Sequence, residues 1–231
     1  MKRFYTEVAA HPAEAGFGVS FDGKPLRTPA KARLVVPTRA LAEAIAAEWR
    51  GQSGEVKLDG LPLTRLASTA LDLVARRQPA IVAEIARYAG SDLVCYRAEH
   101  PPELIERQHA LWQPLLDWAS LRYDAPLLVT AGILPVTQPP ASLTAYAAAV
   151  AAYPPLELAS LHLATAACGS LVVALALIEG RLDADSAFAA AELDQSFEIE
   201  RWGQDAEQMR RRAALKDDIA LAERFIALLR S

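Results

Sequence analysis

The sequence predicts an α+β fold, with a small β-rich N-terminal part over residues 1–55 and a larger all-helical C-terminal part over 56–231. Three observations predict it. Short strand-like runs separated by turn residues fill the first 37 residues. Apolar residues recur at helical spacing almost everywhere after Pro37. The two patterns follow one another instead of alternating, which argues against an alternating α/β chain with a parallel sheet.

The strand region starts from FGVSF, Phe17 to Phe21, followed by Asp22-Gly23 and KPLRT. An Asp-Gly pair between two strand-like runs signals a two-residue hairpin, because both turn positions need positive φ. RLVV, Arg33 to Val36, is a third strand that Pro37 stops, and RFYTEV at the start adds a fourth. Thr38 is placed to cap a helix carrying Leu41, Ile45 and Trp49, with Gly51 near its end. Leu66, Ala70, Leu73 and Val74 mark a second helix. Ile81, Ile85 and Tyr88 mark a third, with Pro79 in its first turn. A stripe from Leu104 to Trp118 marks a fourth, with a kink or restart expected at Pro114. Leu127 to Val136 is apolar and β-rich, and reads as a short strand or an extended linker. Helices are then expected over Leu143 to Tyr153, over an uncharged segment, over Asp183 to Trp202, and in a last helix with Leu215, Ile219, Ala222, Ile226 and Leu229 on one face.

Composition narrows the function classes. Apolar residues make up 52% of the chain and charged residues 23%, values of a folded globular protein and not of a disordered one. A net charge of −4 argues against nucleic acid as a partner. Two well-separated cysteines, Cys95 and Cys168, form no disulfide framework and suit a reducing compartment. The first residues lack an apolar signal core and an Arg- and Ser-rich transit run, so a cytoplasmic location is expected. Leu158 to Ile178 is 21 residues without a formal charge, long enough to span a bilayer. It carries Ser160, His162, Thr165, Gly169 and Ser170, lacks flanking Lys/Arg clusters and an aromatic belt, and reads better as a buried helix. No stable membrane insertion is expected.

Candidate catalytic motifs are weak. His11, His100, His109 and His162 make no HExxH spacing, and no CxxC is present, so no metal is expected. His162, on the most apolar segment, reads as a core or interface histidine. Cys95 has no recognisable base nearby in sequence and reads as a small buried hydrophobe. Ser170 lacks the second glycine of a nucleophile elbow. Gly16-x-Gly18 lacks a third glycine and precedes a strand, and no P-loop occurs. No cofactor and no small-molecule substrate are expected.

Charge distribution says more. Residues 179–209 hold nine acids against Arg181 and Arg201, a net −7, while the remainder of the chain sums to +3. Within this run, DQSFEIERWGQD, Asp194 to Asp205, is acidic and aromatic. Projected as one helix, Phe188, Gln195, Ile199 and Trp202 share a face expected to be core. Leu193, Phe197, Glu200 and Gln204 form a second, half-apolar stripe. A carboxylate at Glu200 is then either paired inside the fold or part of a recognition surface.

Six motifs in order resemble one family. They are FDGKPLRTPAKARLVVPT (Phe21 to Thr38), AIAAEW (Ala44 to Trp49), LPLTRLASTALD (Leu61 to Asp72), SDLVCYR (Ser91 to Arg97), RQHALWQPLLDW (Arg107 to Trp118) and LDQSFEIERWGQD (Leu193 to Asp205). Together they look like the assembly chaperones of the F-type ATP synthase head, the members that act on the alpha subunit. The resemblance spans nearly the whole chain. It implies a non-catalytic protein that binds the new alpha subunit before it joins beta subunits, without a cofactor, built as a small β-rich part and a larger helical part. The family's acidic tryptophan motif matches at Asp194, Glu200, Trp202, Gly203 and Asp205, and the resemblance implies a functional glutamate, here Glu200. Where the family commonly has Glu, Trp and Gln, this chain has Gln195, Phe197 and Glu198. Partner contacts are therefore expected at Glu200 and Phe197, with Asp194, Glu198, Trp202 and Asp205 around them. Two rivals stand beside this reading: an enzyme with a small-molecule pocket between the two parts, and a membrane-associated factor using Leu158 to Ile178.

Overall fold

The computed structural model describes residues 2–132 and 134–231. The α+β architecture holds, with strands confined mainly to the N-terminal region and helices dominating beyond it. The chain forms two compact units. The first comprises Met1–Gln78, Pro154–Ser160 and Arg224–Ser231, and the second Pro79–Tyr153 and Leu161–Glu223.

The first unit is built on a small sheet. Strand β1 (Val8–Ala13) pairs antiparallel with β2 (Gly16–Phe21) in the register Val8 to Phe21 through Ala13 to Gly16. The Asp22-Gly23 hairpin forms as expected, with φ of 47° and 79° at its two residues. It leads into β3 (Lys24–Pro25), which pairs with the end of β2, while β4 (Val35–Val36) pairs with its start. The first residues do not form the expected strand. Among them only Lys2 makes an isolated bridge, to Glu55. The backbone is captured instead by side chains: Asp22 accepts from the Thr6 and Glu7 amides, and Arg3 donates to the Tyr5, Thr6 and Gln52 carbonyls. The pairing strand is the next one along, and Pro12 is tolerated there because β1 is an edge.

Helix α1 (Arg39–Arg50) is capped by Thr38, whose hydroxyl oxygen accepts from the Leu41 amide, and Gly51 ends it. Its buried face of Leu41, Ile45 and Trp49 packs on β1 and β2. Trp49 meets Phe21 edge-on at 4.8 Å between ring centres, and Tyr5 stacks on Phe21 at 4.5 Å. Helix α2 (Pro62–Thr69) lacks a cap of its own. Glu48 supplies one from α1, accepting from the Leu63 amide at 2.6 Å and the Thr64 amide at 2.9 Å. Burial pushes the Glu48 carboxyl above its ordinary range, and the Thr64 and Leu63 donors only partly offset this. A single π turn, Ala70–Val74, continues α2.

The second unit begins at Pro79, within α3 (Gln78–Ala86), and contains α4 (Pro102–Tyr123), which runs unbroken through Pro114. Strands β5 (Tyr96–Arg97) and β6 (Thr130–Ala131) pair in parallel. Of the predicted run from Leu127 to Val136, only β6 is a strand, and Ile133 lies outside the described residues. Five helices follow: α5 (Pro140–Ala151), α6 (Pro155–Cys168), α7 (Leu171–Ile178), α8 (Ala184–Ala191) and α9 (Leu193–Trp202). The last is α10 (Ala206–Leu229), which buries Ile219, Ala222 and Ile226 as its stripe predicts. The start of α6, up to Ser160, and the end of α10, from Arg224, belong to the first unit.

The uncharged segment is not one helix. It breaks at Gly169 and Ser170, between α6 and α7. All eight residues of α7 are buried. Among the described residues no helix is long and apolar enough to cross a membrane. The membrane rival loses its span, because a break with free backbone groups in the middle of a bilayer would be left unsatisfied. Here those groups are met inside the protein. Fully buried Asp92 accepts from the Ser170 hydroxyl at 2.5 Å and from the Leu171 and Val172 amides at 2.8 and 3.1 Å.

Candidate partner-binding interface

Helix α9 carries most of the acidic aromatic segment. Glu192 precedes it and is itself buried, held by Arg212 at 2.8 Å with Arg211 at 3.9 Å. Arg212 also donates to Ser196 at 2.9 Å, which ties the first turn of α9 to α10. Gly203 ends the helix at φ 81°, a left-handed conformation that a side chain would strain. Asp205 then caps α10, accepting from the Glu207 and Gln208 amides at 2.8 Å.

The burial of α9 reverses part of the predicted projection. Leu193 and Phe197 are buried, whereas Trp202 is 78% exposed and Ile199 is half-buried. Phe197 therefore belongs to the core side and Trp202 to the solvent side. The projection ran one helix from Phe188 to Trp202. The chain instead breaks at Glu192, with φ −109° and ψ 23°, and the break resets the phase of every residue after it.

The acids divide in the same way. Asp194 is half-buried and accepts from the Gln108 amide nitrogen at 2.8 Å. Burial pushes its carboxyl above the ordinary range, with Gln108 and Arg97 pulling the other way. Gln108 also accepts from the Ala98 amide through Oε1, and Arg97 donates to the Gln108 carbonyl, so Asp194 closes a network anchored on α4 and β5. Glu200 is exposed and lies 2.8 Å from Arg107, whose hydrogen bond holds its carboxyl below the ordinary range. Arg107 and Arg201 both lie over the Phe197 ring, at 5.2 and 4.3 Å, and shield it from water. Glu198, Trp202 and Asp205 are exposed. The structure thus brings Phe197, Glu200 and Arg107 into one cluster and leaves Trp202, Glu198 and Asp205 facing solvent.

The catalytic candidates resolve by burial. Burial pushes the Cys95 thiol up to about 12, which leaves it protonated and unreactive at neutral pH. The Ser170 hydroxyl is engaged by Asp92 and by the Val173 amide. His162 is not a core residue: its side chain is 37% exposed and its Nε2 lies 3.2 Å from Glu84. Among the described residues no group of three or more His, Cys, Asp or Glu is placed to hold a metal ion.

Sequence reasoning missed a second surface. In the first unit a groove of about 590 Å³ opens between the sheet edge and α2, with Phe21, Leu26, Trp49 and Leu61 in its lining. Its walls include Phe4, Leu58 and Leu73, which are 60%, 67% and 41% exposed. Each lies far from the others in sequence, so no local pattern marks them.

The profile of the ATP12 chaperone protein family matches residues 2–120, more than half the chain. The chain belongs to the ATP12 chaperone family. ATP12 architecture extends well beyond the matched residues. The structure superposes on the crystal structure of Atp12 from Paracoccus denitrificans with a TM-score of 0.95 and 41% identity, covering 99% of this chain and 98% of that one. An Asp-to-Lys mutant of the Paracoccus denitrificans Atp12p gives a TM-score of 0.95 at 40% identity, over 99% and 97% of the two chains. The ATP12 relative from Schizosaccharomyces pombe, named protein atp12, mitochondrial, is 24% identical over 87% of this chain and 74% of its own length. As an ATP12 protein the chain is a chaperone of ATP synthase assembly.

Proposed function

We propose that this ATP12 chaperone binds the free alpha subunit of the F-type ATP synthase head, shields its subunit interface until beta subunits arrive, and does so in the cytoplasm without catalysis. The observation that carries the reading is the end of α9, where Trp202 stands 78% exposed beside the exposed acids Glu198, Glu200 and Asp205. A large aromatic left in water at the tip of an acidic helix is a binding anchor, since aromatic residues dominate interface energetics. The acids orient a basic client surface and speed its arrival. Phe197 and Asp194 serve from beneath, holding the helix in place.

The physical logic needs no fuel. A free subunit exposes an apolar surface meant for its neighbours, and such surface aggregates. A chaperone that covers it and then yields to a tighter native contact is displaced downhill. The test is co-expression with the cognate alpha subunit followed by pull-down. The chaperone captures the subunit and raises its soluble yield. Absence of both sinks the proposal. Glu200→Lys separates recognition from folding: lost capture with an unchanged melting curve marks recognition, and a collapsed fold marks a structural acid.

A further inference from the structure

We propose that the apolar groove of the first unit is a second client-holding surface, taking an apolar segment of the alpha subunit that carries an acidic side chain. The inference rests on the alpha-subunit reading above, and it places part of the contact far in sequence from the acidic helix.

Three observations carry it. The first is apolar exposure in one place. Among the described residues ten large hydrophobics are exposed, and Phe4, Leu58 and Leu73 all line this groove. Solvent-facing apolar walls over an apolar floor of Leu26 and Leu61 mark an interaction surface. The second is form. The volume falls within the roughly 300–1,000 Å³ of small-ligand pockets, yet such pockets bury most of their ligand. Walls this exposed would leave a small ligand in water, whereas a chain segment could lie along them. A neighbouring hollow of about 340 Å³ shares Phe4, Leu26 and Arg27 with the groove and extends the apolar surface past Phe4.

The third observation is charge. The groove's one lining acid, Asp72, is already engaged, accepting from the Thr28 hydroxyl at 2.7 Å and the Ala30 amide at 2.9 Å. Arg27 and Arg65 line the same groove and are exposed. Arg27 spends one nitrogen on the Lys31 carbonyl, and among the described residues Arg65 has no ion-pair partner. Lys24 lines the adjoining hollow together with Asp22, whose carboxylate is already engaged by the Thr6 and Glu7 amides. A basic rim on a chain of net charge −4 selects a segment bearing an acid. The two surfaces are then complementary in kind: α9 offers acids and one tryptophan, and the groove offers apolar walls with a basic rim.

The test uses the full chain co-expressed with the cognate alpha subunit. The photo-reactive residue p-benzoylphenylalanine is placed at Leu58, and at Leu121 of α4 for comparison, since Leu121 is 87% exposed and outside the groove. Irradiation joins the alpha subunit at Leu58 and not at Leu121, and the joined peptide is apolar with an Asp or Glu. Leu58→Asp lowers capture on the order of tenfold, the loss of one buried apolar anchor, with an unchanged melting curve. Arg65→Glu lowers it without unfolding the chain. If wild type captures no alpha subunit, the functional reading itself fails. If wild type captures it while Leu58→Asp and Arg65→Glu bind as well and no crosslink forms at Leu58, the groove is overturned and the function stands. A crosslinked segment without an acid overturns the stated occupant.

Discussion

Phe197 and Trp202 lie one helical turn and a half apart, yet one is 5% and the other 78% exposed. Their substitutions therefore separate. Phe197→Ala removes a buried ring and destabilises the chain by about 3 kcal/mol or more, seen as a lower urea midpoint. Trp202→Ala leaves that midpoint within error and weakens alpha-subunit capture instead. A drop in stability for Trp202→Ala would contradict the structure. Single-residue features split into those a local pattern shows and those it does not. Thr38 as a cap and Asp22-Gly23 as a turn were legible, since both depend on adjacent residues. The partners of Asp194 were not, because Gln108 and Arg97 arrive from other elements.

At the scale of elements, α7 is the informative case. A helix buried on every side exposes no amphipathic stripe, so its place was legible only as an uncharged run. Its start was hidden, because Asp92 reaches it from a distant part of the sequence. Burial pushes the Asp92 carboxyl from 3.8 up to about 6, against the Ser170 hydroxyl and the Val172, Val94 and Leu171 amides. The folded chain thus holds a proton there more tightly than the unfolded chain. That contribution to stability is fully present below pH ~4 and is lost as the pH rises through about 6, roughly 3 kcal/mol in all. Urea titrations at pH 4.5 and pH 7 show it as a difference that Asp92→Asn reduces. An equal pH dependence in wild type and variant would count against it. The α9 phase error belongs here too. Periodicity is continuous only while the helix is, and the turn at Glu192 has no glycine or proline to announce it.

For the molecule as a whole, the order of strands before helices was legible because hydrophobic period changes sharply after Pro37. The apolar groove was not, since an exposed leucine and a buried one look alike in sequence. Charge asymmetry gives a prediction at this scale. Association led by the acidic segment slows as salt rises from 50 to 500 mM, while dissociation changes less. Stopped-flow mixing with the purified alpha subunit reads both, and a salt-independent on-rate would remove the acids from the encounter.

Residues Arg224–Ser231 belong to the first compact unit, far in sequence from its sheet, and the Leu228 carbonyl accepts from the Thr38 hydroxyl at 2.5 Å. On a ribosome the N-terminal unit must therefore wait for Arg224–Ser231 to emerge before it can close. Until then its sheet and first helix emerge with a missing wall, and the helper is briefly in need of the protection it gives.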